Sequence, residues 1–168
     1  MALSMYQASV PVCLRMMDNL RNILKKGEEY AQSKNIDLDV LFNARLAPDM
    51  LPLAGQIRIV SDTSKGLAAR LAGMEPPKYE DNEKTYAELY TRLDKTMEFL
   101  NTLKPEQIDG SEDKAITIKL PNVTFELTGT QLLCNFSMPN LYFHVTTAYN
   151  ILRHNGVPLA KPDYIGKP

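Results

Sequence analysis

The chain of 168 residues has no Trp, two Cys and two His, His144 and His154. Chemistry that recruits several imidazoles or thiols therefore has few residues to draw on. Cys13 and Cys134 stand far apart and match neither a C-x-x-C pair nor a zinc-ligand spacing. They read as two buried, reduced side chains of a cytoplasmic protein. Excess charge of one sign is lacking too, since 19 basic and 20 acidic residues leave a net charge of −1. With no basic surplus to neutralise phosphates, nucleic acid is not an expected partner. No apolar run approaches the roughly 20 residues of a membrane span, so no membrane association is expected. Met1 to Arg15 lacks the basic-then-apolar plan of a signal peptide and reads as mature protein. Nucleotide-binding glycine loops, G-x-S-x-G and H-E-x-x-H are all missing. What is present is an ordinary globular composition, 44% hydrophobic and 23% charged, at a length that suits one domain over residues 1–168.

Apolar residues recur at three and four positions through much of the chain, the helical period. Cys13, Met16, Met17, Leu20, Leu24, Gly27 and Ala31 mark a helix from about Met5 to Ser33. Pro11 is awkward inside it, so either Ser9 caps the main helix or a longer helix kinks there. Asp37 caps a short helix ending near Phe42. A second long helix, Leu53 to Ala72, carries Leu53, Ile57, Val60, Ser64, Leu67, Ala68 and Leu71. A third, Asn82 to Leu103, buries Tyr86, Leu89, Tyr90, Leu93, Met97 and Leu100. The period then changes to two over Ala115–Leu120 and Val123–Leu127, with Pro121-Asn122 between them, which predicts a β-hairpin. The last helix runs from Thr130 to Asn155, bent at Pro139, and an extended tail follows from Val157. The expected fold is all-α, a four-helix bundle with a small hairpin inserted before the last helix.

On a wheel of 100° per residue, Asn140, His144, Thr147 and His154 share the core-facing arc of the last helix with Leu133, Phe136, Ala148 and Ile151. A buried polar group without a partner costs about 1–3 kcal/mol, so this arc calls for an internal network, water or a ligand. Arg58 and Asp62, four apart on the second long helix, are placed to pair on its surface. Tyr142 and Tyr149 flank the polar arc and are candidates for a pocket wall or a dimer interface. Cys134 and His144 are about 15 Å apart along one helix and do not form a nucleophile–base pair.

The run from Pro139 to Val157 resembles the last-helix signature of an uncharacterised domain-of-unknown-function family in the DinB/YfiT-like superfamily. Asn43–Met50, Ala69–Pro77 and Met5–Pro11 fit the same family. The resemblance implies a four-helix bundle, often dimeric, so a homodimer is expected. Classical DinB-like proteins bind a divalent metal through one His on helix two and an H-x-x-x-H pair before a glycine near the end of helix four. Aligned on Gly156, that pair falls on Asn150 and His154, and the helix-two position falls near Ser61 or Asp62. At most one imidazole of the three remains, and Zn²⁺ or Ni²⁺ sites favour neutral imidazoles. A degenerate metal site is therefore expected, with Asp62 and His154 as weak metal candidates and no resident cofactor. The candidate polar site is His144, His154, Asn140, Asn150, Asp62, Arg58 and Tyr149. The expected role is non-catalytic or small-molecule-binding. The alternative is a metal- or His-assisted, thiol-dependent transferase or isomerase with His144 or His154 as base.

Overall fold

A computed structural model describes residues 3–120 and 122–166. Ser4 opens the chain's first helix, α1 (Met5–Lys34), with a capping box. Its hydroxyl accepts from the Gln7 amide, and the Gln7 side chain accepts from the Ser4 amide. Ser9 is therefore inside the helix, not at its cap, and donates to the Met5 carbonyl at 2.6 Å. Pro11 also lies within α1. Asn35 ends the helix in the left-handed region at φ 54°, a conformation Asn tolerates.

Asp37 caps α2 (Leu38–Asn43) as expected. Next come α3 (Leu53–Leu71) and α4 (Tyr86–Asn101). The start of α4 is four residues later than its apolar pattern suggests. Thr85 and Glu88 form a capping box there, and Asn82 to Lys84 belong to the preceding strap. A single short turn, α5 (Pro105–Ile108), leads to the antiparallel strands β1 (Ala115–Leu120) and β2 (Val123–Thr128). Ile116 and Ile118 face inward while Thr117 and Lys119 stay exposed, the alternation that identifies the hairpin in the sequence. Of the expected Pro121-Asn122 turn, Pro121 lies outside the described residues.

The last long helix is composite. It comprises α6 (Gly129–Gln131), a π-helical stretch over Leu132–Ser137, and α7 (Met138–His154). Pro139 lacks an amide hydrogen and crowds the carbonyl four residues earlier. The widened π turn absorbs that conflict just ahead of it, so the expected bend takes the form of a local change of helix type. The tail is not uniformly extended. Pro162 at a first-turn position helps start α8 (Lys161–Ile165). This helix docks on α1 through the Asn19 amide to the Tyr164 carbonyl (3.0 Å) and the Lys26–Asp163 ion pair.

The protein is thus mostly helical, with one two-stranded hairpin before the last helices. Fourteen residues of α3 are buried, and it packs against α1, α4 and α7. Met17, Leu20, Ile23 and Leu24 of α1, Ile57 and Leu67 of α3, Leu89 and Leu93 of α4, and Ile151 of α7 build the core between them. No described helix is long and apolar enough to cross a membrane.

Gly129 marks the tightest backbone approach. A Cβ there would lie 1.9 Å from the Ser111 carbonyl oxygen, and that neighbour is main chain. Gly129→Ala is expected to cost about 3 kcal/mol or more in urea unfolding, the size of a forced backbone shift in a packed region. A change below about 0.5 kcal/mol would show that the 109–114 segment moves freely and is not docked on α6.

Candidate functional site

α7 runs antiparallel to α3 and faces it: Asn140 meets Thr63, and His144 meets Gln56. Gln56 is 2% exposed, and its orientation is fixed by two bonds. Its amide nitrogen donates to the Leu51 carbonyl at 2.9 Å, so its oxygen must face His144. That oxygen accepts from His144 Nδ1 at 2.7 Å. The ring therefore carries a proton on Nδ1, and Nε2 has no hydrogen-bond partner among the described residues. Burial holds the His144 pKa below the usual imidazole value, which favours the neutral form.

His144 lines a cavity of about 430 Å³. α3 supplies Ile59, Asp62, Thr63, Leu67 and Arg70; α7 supplies Asn140 and His144. The π turn adds Leu132, Phe136 and Ser137, and the hairpin adds Ile118. The helix-type change forced by Pro139 thus shapes one wall, and β1 forms another. Asn140 Nδ2 donates to Thr63 Oγ1 at 2.8 Å, bracing the two helices at the cavity. The volume falls within the range of small-molecule pockets.

Asn140 and His144, which share one arc of the wheel, line the cavity together with Asp62, but the other candidates do not. His154 is exposed at the end of α7. With His144 opposite Gln56, ten further residues carry the helix about 15 Å on, past the start of α3 at Leu53. Nothing there covers the imidazole, and the shared arc that placed it inside extended beyond its packing partner. Asn150 is exposed for a different reason: it lies on the outward face of α7 with Thr146 and Arg153, while Ala148, Ile151 and Leu152 beside it are buried. Asp62 lies at the level of Asn140, about 21 Å along the axis from His154, so these two metal candidates do not form one centre. Among the described residues, no group of three or more His, Cys, Asp or Glu is arranged to hold a metal ion. Tyr149 packs edge-on against Tyr164 of α8, away from the cavity.

The expected Arg58–Asp62 surface pair is also replaced. Arg58 Nε reaches Glu83 at 2.7 Å in the strap before α4, and the same Glu83 accepts from Arg92 at 2.8 Å. Asp62 pairs instead with Lys65 and, at 2.9 Å, with Arg92. Although partial burial opposes ionisation of Glu83, its bonds to the two guanidinium groups hold its pKa below the usual carboxylate range. A second cavity of about 400 Å³ lies over this strap, but Arg92 and Glu83 in its wall are already engaged with one another. The cysteines differ from expectation in one respect: Cys13 is buried, its thiol pushed up to about 12 chiefly by desolvation, whereas Cys134 is exposed on the π turn.

Gln56, Arg70 and Arg92 did not emerge from the sequence. Gln56 left a trace, a polar residue beside Leu53, Ile57 and Val60 on the apolar face of α3. Arg92 left none, because its partners come from the strap and from α3.

Residues 5–165 match the family described as "Domain of unknown function (DUF1993)". The chain belongs to that family. It is also similar, over 97% of its length and 92% of the other chain, to a DinB family member protein from Shewanella denitrificans known from a crystal structure, at 40% identity and a TM-score of 0.89. No curated protein matches it. The family and the solved relative agree with the resemblance carried by the last-helix run, and neither description states an activity.

The depressed His144 pKa sets a pH dependence. The unfolded imidazole takes up its proton at a higher pH than the folded one. The stability held above the unfolded value of about 6.5 is thus lost as pH falls toward the folded value. The urea midpoint should fall between pH 7.5 and 5.5, and His144→Gln should flatten that fall. An identical slope in the variant would show that His144 is not held neutral.

Proposed function

We propose that this protein is a DinB-like four-helix bundle, formed by α1, α3, α4 and α7, that binds a small molecule in the cavity between α3, the π turn, α7 and β1. The observation that carries this reading is the unpartnered Nε2 of a buried, neutral His144 in the wall of a largely apolar cavity. Nε2 is not sealed from solvent, and its free lone pair can accept from a donor bound in the cavity. Gln56 prearranges the ring, so binding does not require a rotamer or tautomer to be selected.

The same reading leaves the superfamily's metal set unused. Asp62 is occupied by Lys65 and Arg92, and His154 stands beyond the start of α3. A second reading is favoured by one feature: an imidazole oriented through Nδ1 with Nε2 open is also the arrangement of a general base. In a His-assisted transferase or isomerase, Nε2 would take a proton from a substrate thiol or water. His144→Gln would then abolish turnover and leave binding measurable.

Saturation-transfer NMR against a fragment library separates a ligand site from a packing void. Ile59 is only half-buried, so Ile59→Trp fills the cavity from its rim without disturbing the core. Fragments at millimolar concentration are expected to bind the native protein and to lose their signal with Ile59→Trp, whose melting temperature stays within a few degrees. Fragment binding unaffected by Ile59→Trp, or no binding at all, would overturn the proposal.

A further inference from the structure

Arg70 lines the cavity at the end away from His144 and is partly buried. Arg58 and Arg92 are both committed to carboxylates, and buried Lys65 to Asp62. The Arg70 guanidinium makes no hydrogen bond or ion pair among the described residues, although the backbone carbonyl of Arg70 accepts from Gly73. Asp62, the carboxylate in the cavity wall, is already taken by Lys65 and Arg92. Glu75 favours the charged form of Arg70 from a distance, yet desolvation is the larger influence and pulls the other way.

The direction of the side chain is also determined. A Cβ on Gly66 would lie 2.6 Å from Arg70 Nη1, so the guanidinium folds back one turn along α3 and rests over the glycine. Glycine in a helix interior is unfavourable relative to alanine, and here its missing methyl is the space the guanidinium occupies. The fold-back carries the charge along α3 toward the level of Thr63, in a cavity whose apolar walls include Leu67, Ile118, Leu132 and Phe136. A guanidinium presents parallel N–H donors that match a carboxylate in a fork. A single unpaired cation among apolar walls suits a monoanion with an apolar body better than a phosphate dianion, which calls for several donors.

We propose that the cavity takes a small carboxylic acid with an apolar body, its carboxylate forked on Arg70 and its body along Leu67, Ile118, Leu132 and Phe136. A polar group at the far end of such a molecule meets Asn140 and the open Nε2 of His144. This assignment rests on the small-molecule reading above and specifies its ligand class.

Octanoate and octanamide share a tail and differ in charge, so they isolate the role of Arg70. Calorimetry on the full chain is expected to show octanoate binding at least tenfold tighter than octanamide, with amide shifts in NMR spectra at Leu67, Arg70 and Leu132. Arg70→Gln removes the preference, and Arg70→Lys restores part of it. Gly66→Ala displaces only the mobile tip of Arg70, so it also weakens octanoate, while octanamide affinity and the melting temperature hold. Equal affinity for the two ligands, or a preference that survives both Arg70→Gln and Gly66→Ala, overturns the carboxylate assignment and leaves the cavity reading intact. Shifts confined to other surfaces, or no binding of either ligand, overturn it as well. The Ile59→Trp fragment screen then decides the cavity reading on its own.

Discussion

Burial of α3 on several faces is the constraint from which the rest of this structure follows. A helix enclosed by α1, α4 and α7 sends few of its polar side chains to water, and several of them find partners inside, although the buried Ser64 hydroxyl has none among the described residues. Ser61 shares a 2.8 Å hydrogen bond with Thr96 of α4, and Gln56 bridges its own entry loop to His144 of α7. Lys65 is held by Asp62 and lies over the Tyr79 ring. Arg58 draws in Glu83, which meets buried Arg92 and ties down the strap between α3 and α4. Removing one member of such a buried set strands the others, which is why these contacts bear on which helices are neighbours as much as on total stability.

The cavity arises where this enclosure is incomplete. α7 meets α3 at the Asn140–Thr63 and His144–Gln56 contacts, but Pro139 and the π turn before it interrupt regular packing. The gap is walled by Phe136, Leu132 and the inward-facing Ile118 of the hairpin. Phe125 braces Phe136 from the hairpin at a ring separation of 5.6 Å. A proline that reads as a helix irregularity therefore has a structural consequence, a π turn that walls the cavity.

Much of the fold was legible because it rests on local periodicity. The buried stripes of α1, α3 and α4 and the alternation at Ile116 and Ile118 follow from 3.6- and two-residue repeats alone. The site was legible only in part. The wheel placed Asn140 and His144 together because both lie where α3 faces α7. It misplaced His154 because a wheel records angle and not the length of the partner helix. The pairing of Arg58 with Asp62 failed for a related reason: helix spacing makes the two neighbours, but Glu83 and Arg92 from outside the helix compete for them. Arg70 was invisible, since its role depends on Gly66 four residues earlier and on walls contributed by two other elements.

The central claim is that Gln56 holds His144 as a neutral Nδ1–H tautomer with Nε2 open to the cavity. Long-range ¹H–¹⁵N correlation spectra of the imidazole at pH 7.5 test it directly. The account predicts a protonated Nδ1 and an unprotonated Nε2, with this pattern lost in Gln56→Leu. A His144 ring protonated at Nε2, or charged at that pH, would contradict it.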